Sequence, residues 1–328
     1  MDGKLARGYA RQSLRSFEKT YPAALANVSR ELFPYYDNLC RKGKLTRQHA
    51  RDAVSAYGRH IGSQPYLIWM ERFGDARHRK LSNRFGEGLH CLRLNLARYR
   101  GGASLIVHGD LMLATRDSLE FRSADLTVAI TDHAVVRLLE RGDERIATFA
   151  RGLVPGVLIA GLYAARATAE PQPIVVPHQR GLFLGHCVES RGYADWCSVH
   201  ARVMDVAGEH DTRFAPAQVK AGGVGPTVIL STFVGEAEMA EAQRGLKSRL
   251  AELAHRHADL LLDDGIANAL YRPLGEDFGA VAGRPIDPAR VQALAGELED
   301  LSDTPLWRAA VRGPVRIGAK GKVAVSMG

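Results

Sequence analysis

Thr131-Asp132-His133-Ala134-Val135-Val136-Arg137-Leu138-Leu139-Glu140-Arg141-Gly142 is the stretch from which the rest of this 328-residue chain is read. Thr131 or Asp132 can accept from the free N–H groups at a helix start, and Gly142 suits the left-handed residue that ends one. These signals bound a helix of about three turns, and at about 100° per residue His133, Arg137 and Arg141 form one stripe. Val135, Leu138 and Leu139 lie away from it, on the side that can be buried. Two readings stand side by side. In one, the stripe is solvated, and Glu140 or Asp143 pairs with the arginines at little net energy. In the other it is an anion site, where His133 transfers a proton while Arg137 and Arg141 hold phosphate oxygens bidentately.

Around this helix the hydrophobic period changes. Residues 105–108, 111–115 and 126–130 read as short strands, with Gly109-Asp110 as a turn between the first two. Residues 145–167 read as a second, very apolar helix that Pro155 and Gly156 divide or bend. Four β-like runs follow, at 173–177, 181–189, 197–206 and 227–234, and the short Gln179-Arg180-Gly181 turn favours antiparallel pairing of the first two. In the third run His200, Arg202 and Met204 alternate with Val199, Ala201 and Val203, which puts His200 and Arg202 on the more accessible face.

Towards the N-terminus the spacing predicts helices over residues 4–33, 46–61 (with Thr46 as cap), 66–73 and 76–99. The last takes Leu81, Phe85, Leu89, Leu92 and Leu96 as its apolar face, with Arg77, Arg79, Lys80, Arg84, Arg93, Arg98 and Arg100 around it. Residues 1–100 therefore read as a basic helical bundle, and Gly101-Gly102 as the boundary after it. The net charge of +8 is uneven: residues 1–100 carry 20 Lys and Arg against 8 Asp and Glu, a net +12, and the remaining 24 against 28 give −4. That asymmetry points to a polyanionic partner, with Arg77, Arg79, Lys80, Arg84 and Arg93 as candidate nucleic-acid-binding residues. Plain solubility of a helical bundle is the competing explanation.

Residues 236–262 read as a long charged helix. Its His255, His257, Asp259, Asp263 and Asp264 do not converge as metal ligands and read as a solvated face. A further helix over 287–301 starts at Asp287-Pro288, and a basic tail follows Trp307. The expected architecture is α+β: an N-terminal helical bundle (1–100), a helix-helix-antiparallel-sheet domain (101–235), and a C-terminal helical extension with a basic tail (236–328).

Several classes are excluded or left without support. The hydrophobic fraction of 46% and charged fraction of 24% suit a folded globular chain. No run approaches the length of a membrane span, and Met1-Asp2-Gly3-Lys4 opens without an apolar leader, so a cytoplasmic protein is expected. Cys40, Cys91, Cys187 and Cys197 are scattered singly and read as reduced thiols. Ala221-Gly222-Gly223-Val224-Gly225-Pro226 lacks the ending of a phosphate loop. No cofactor or metal is expected.

The pattern His133-Ala134-x-x-Arg137-x-x-x-Arg141-Gly142, followed by a second helix and four strands, resembles the barnase, EndoU, colicin and RelE class of metal-independent, toxin-like ribonucleases over about residues 126–234. The resemblance implies RNA cleavage through attack by the 2′-hydroxyl without a metal. His133 would then move the proton, Arg137 and Arg141 would bind phosphate, and His200 or Arg202 would supply the opposite wall. RNA or another nucleic acid is the expected partner, with room for an inhibitory protein. The rival reading is a non-enzymatic, basic nucleic-acid-binding or adaptor protein on a degenerate nuclease-like scaffold. ADP-ribosyl transfer, prompted by Ser231-Thr232 and Glu236-x-Glu238, fits poorly, because those motifs nearly touch.

Overall fold

Two long strands, β2 (Gly86–Tyr99) and β3 (Gly102–Thr115), pair antiparallel along their whole length, from Gly86 opposite Thr115 to Tyr99 opposite Gly102. The computed structural model describes residues 46–63, 66–74, 86–99, 102–115, 119–142, 146–189, 196–198, 202–206, 227–262 and 288–312, with a few isolated positions besides. Among them, β1 (Leu67–Gly74), β4 (Leu119–Ile130), β5 (Gln172–His178), β6 (Gly181–Cys187) and β9 (Val228–Gly235) extend this hairpin into one sheet of order β1-β2-β3-β4-β9-β6-β5. The short β7 (Trp196–Ser198) and β8 (Arg202–Val206) pair with β2 and β4. All these pairs are antiparallel except β4 with β9.

The N-terminal helical bundle is overturned by these strands. Among the described residues the first long helix, α1 (Arg47–Gly62), is the one capped at Thr46, whose hydroxyl accepts from the His49 N–H while His49 Nδ1 accepts from the Thr46 N–H. The segments expected to follow as helices over 66–73 and 76–99 are β1 and, from Gly86, β2; residues 75–85 and nearly all of 1–45 lie outside the described residues. The error has a physical cause. β2 is buried on both faces, so Leu89, Leu92 and Leu94 are all inside and their spacing imitates a helical stripe. Likewise Gly109-Asp110 is no turn but the middle of β3, and Gly102 opens that strand opposite Tyr99.

One sheet face is covered by α1, whose Ala53, Val54, Tyr57 and Ile61 pack against Leu89, Cys91 and Met112. The other face carries Leu92, Leu94, Leu105, Val107, Leu126 and Val128, and receives α2 (Asp132–Gly142), α3 (Ile146–Arg151) and α4 (Val154–Ala165). The single apolar helix expected over 145–167 is divided just before Pro155, which occupies the first turn of α4 as proline prefers. α5 (Glu241–Arg256) packs on α4 and β5, and α7 (Pro305–Arg312) packs on α5, after α6 (Pro288–Ser302). Among the described residues no helix is long and apolar enough to cross a membrane.

His178 ties the β5–β6 hairpin to the helical layer. Its Nδ1 accepts from the Arg180 N–H, which leaves the proton on Nε2 to be donated to the Phe149 carbonyl at 3.1 Å. The rings of Phe149, Phe183 and Phe233 surround it. Burial, aided by the nearby charges of Lys247 and Arg180, pulls its pKa from 6.5 down to about 4. On acidification the unfolded chain takes up this proton first. The neutral imidazole therefore contributes its full stability above about pH 6.5 and loses it as the pH falls towards 4, a change of about 3 kcal/mol. Urea unfolding at about pH 7.5 and about pH 4.5 should show the wild type losing roughly that much more stability on acidification than His178→Leu. An equal loss in both would remove His178 from the acid response.

Candidate functional site

The helix that carries the His133 stripe grows directly out of β4. The Thr131 N–H donates to Leu230 O on β9, its hydroxyl donates to Ser231 O at 3.1 Å, and the same hydroxyl accepts from the Ala134 N–H. Asp132 accepts from the His133 N–H. α2 is thus fixed at its first turn to β9, and Ala134, Val135, Leu138 and Leu139 go into the core. His133 is exposed.

Both arginines of the stripe already have carboxylate partners. Arg137 donates to Glu140 at 2.8 Å, one helical turn away. Arg141 pairs with Glu238 at 2.6 Å and donates to Phe233 O, with only 13% of its side chain exposed. Its stem lies against Gly235, where an added Cβ would stand 3.0 Å from that of Arg141. Burial and the neighbouring Arg137 lower the Arg141 pKa, while Glu238 and Glu140 act in the opposite sense. Arg141 therefore pins the last turn of α2 to the end of β9 and to the 3₁₀ turn Glu236–Glu238.

Arg202, one of the two candidates for the opposite wall, does not come to this helix. Arg202 is in β8, in register with Ser123, seven positions before Ile130 and so about 23 Å back along β4. α2 runs the other way, from Leu230 towards Glu238, which increases the separation. His200 lies outside the described residues, as do Arg77, Arg79, Lys80 and Arg84. Arg93 is described, and it is 1% exposed, far from any surface that could meet a phosphate.

Arg93 belongs instead to a buried polar cluster that the reading of the sequence missed. On the β2–β3 face beneath α1, its Nε donates to Asp110 Oδ2 at 2.5 Å and its Nη2 to Asp110 Oδ1 at 3.2 Å. His108 Nε2 stands 3.3 Å from Asp110 Oδ1, Asn95 lies 3.4 Å from His108 Nδ1, and Cys91 donates to Asp110 across 3.6 Å. Burial alone would raise the Asp110 pKa, but the Arg93 guanidinium and the His108 ring more than offset it and hold the carboxyl well below the usual carboxylate range. Burial, and next the charge of Asp110, push the Tyr57 hydroxyl and the Cys91 thiol upward, so neither supplies an anionic nucleophile at neutral pH. A period-two signal was present: Leu92 and Leu94 alternate with Arg93 and Asn95, and Val107 with His108.

Among the described residues no three His, Cys, Asp or Glu side chains group as metal ligands. No family model matches the chain, and neither a curated protein nor a solved structure matches it. The chemistry within reach is therefore judged from the geometry alone. α2 offers one exposed imidazole beside two neutralised arginines, and the β2–β3 cluster is a closed ion pair.

Removing one partner of that pair leaves a buried charge, so Arg93→Met or Asp110→Asn should each cost about 3–5 kcal/mol. The double variant should cost clearly less than the sum, a coupling read from urea denaturation as a double-mutant cycle. Additive losses would mean that the two groups do not stabilise each other.

Proposed function

We propose that this is a non-enzymatic nucleic-acid-binding protein in which the nuclease-like helix is a structural element. The observation that carries the reading is the pairing of Arg137 with Glu140 and of Arg141 with Glu238. A phosphate entering this face would have to displace a carboxylate from each guanidinium and, at Arg141, undo the tie between α2 and β9. General acid–base cleavage at phosphorus needs cationic donors preorganised where charge develops. His133 alone does not provide them.

Affinity for a polyanion is supported by the sequence charge, +12 over residues 1–100. The outer side of α1 contributes Arg47, Arg51 and Arg59, all exposed. Arg47 and Arg51 both pair with Glu87, at 3.2 and 2.9 Å.

The test uses the full chain with fluorescently labelled single-stranded RNA. Binding followed by anisotropy should weaken steeply between about 50 and 200 mM salt, and charge reversal at Arg79, Lys80 and Arg84 should weaken it and flatten the salt slope. RNA incubated with the protein in EDTA should stay intact, with wild type and His133→Ala indistinguishable. Cleavage that leaves 2′,3′-cyclic phosphate ends and disappears in His133→Ala would replace this reading with a metal-independent ribonuclease. Binding insensitive to salt and to the charge reversals would end the nucleic-acid reading altogether.

A further inference from the structure

A cavity of about 390 Å³ opens between β1, the α3–α4 junction, α5 and the 3₁₀ turn Ala258–Leu262, on the opposite side of the sheet from α1. This is within the usual size range of small-molecule pockets, roughly 300–1,000 Å³. Its interior is hydrocarbon. Leu158 and Leu261 are buried at its base, and Trp69 borders it while packing edge-on against the buried ring of His90, with centroids 5.5 Å apart. The polar groups Arg151, Gln179 and His255 are at the rim, and all three are exposed.

Two features set this rim apart from the surrounding surface. First, its basic side chains lack carboxylate partners among the described residues. Arg256, next in sequence to His255, is held by Glu297 at 2.8 Å and Glu252 at 3.3 Å, and Arg290 is held by Asp259. Among the described residues no carboxylate stands within ion-pair distance of Arg151 or His255. Second, the frame is rigid before any ligand arrives. The Gly152 N–H donates to Phe149 O, the Gln179 N–H to Gly152 O, and Lys247 Nζ to Gln179 O at 2.7 Å. His178 fills the space behind Gly152 so closely that a Cβ there would lie 2.5 Å from its Nε2.

From this arrangement we infer a binding site for a small apolar monocarboxylate, independent of the nucleic-acid reading. Its hydrocarbon or aromatic body lies against Trp69, Leu158 and Leu261, and its carboxylate is at the rim with Arg151 and His255. The guanidinium of Arg151 favours an anion and suits the two oxygens of a carboxylate, and the His255 ring can donate an N–H beside it. The apolar interior offers no set of hydrogen-bond partners for a sugar or a nucleobase, and burying unpaired polar groups there would be costly.

Isothermal titration of the full chain with 2-naphthoate, and with uncharged 2-naphthylmethanol as its isosteric control, tests the site. The acid should bind with a Kd below about 1 mM, and the alcohol about tenfold more weakly. Arg151→Ala should weaken the acid about tenfold and leave the alcohol unchanged, which also reports that the variant is folded. Ala258→Trp, at an exposed position on the cavity wall, should abolish binding of both. Equal affinity for acid and alcohol, acid binding untouched by Arg151→Ala, or no binding of either probe at about 1 mM would each overturn the assignment.

Discussion

Arg93 and Asp110 meet 2.5 Å apart where neither side chain touches solvent, and the rest of the sheet takes its register from that contact. Side chains alternate faces along a strand, so a slip of one residue between β2 and β3 would carry Arg93 to the face of Leu92 and Leu94. An unpaired guanidinium there, among aliphatic groups, costs several kcal/mol. A hydrophobic hairpin without the pair would discriminate less, because both of its faces are buried and both registers bury leucines. β1 and β7 hydrogen-bond to β2, and β4 to β3, so each inherits the register that the ion pair selects.

The position of α2 follows from the same chain of constraints. β4 takes its register from β3, β9 aligns parallel to the end of β4, and Thr131 then bonds α2 to β9 at Leu230 and Ser231. At the other end of the helix Arg141 closes the connection through Phe233 O and Glu238. A residue type well suited to gripping phosphate is here spent on holding a helix to a strand. What distinguishes a structural arginine from a ligand-binding one is whether a carboxylate is within reach before the ligand arrives. Arg141 has one; Arg151, at the rim of the cavity, has none among the described residues.

This distinction also explains which parts of the molecule could be read from the sequence. The cap at Thr46, the helix after Thr131, the break at Pro155, the turn at Gln179-Arg180 and the helix opening at Pro288 are local signals, set by groups within a few residues of each other, and all reappear in the structure. β2 was misread because a charged residue was taken to mark a surface. Arg93 is tolerated inside only because Asp110 arrives from 17 residues later in the chain, and no local window contains both. The same separation hid the role of Gly109-Asp110, whose composition imitates a turn. It also hid the partners of Arg141, since Phe233 is 92 positions away.

Buried pairing changes a site assignment far more than it changes the field of the whole protein. Taking Arg93 out of the first hundred residues reduces 20 basic groups to 19 against 8 acidic ones, and taking Asp110 out of the remainder reduces 28 acidic groups to 27 against 24 basic ones. The two parts then carry +11 and −3, still opposite in sign. Pairs such as Arg137 with Glu140 lie within one part and leave the balance unaltered. A long-range attraction for a polyanion sums over many solvated groups, so it survives the loss of any single candidate residue. A local site depends instead on the geometry of a few side chains, and on α2 that geometry pairs Arg137 with Glu140 and Arg141 with Glu238.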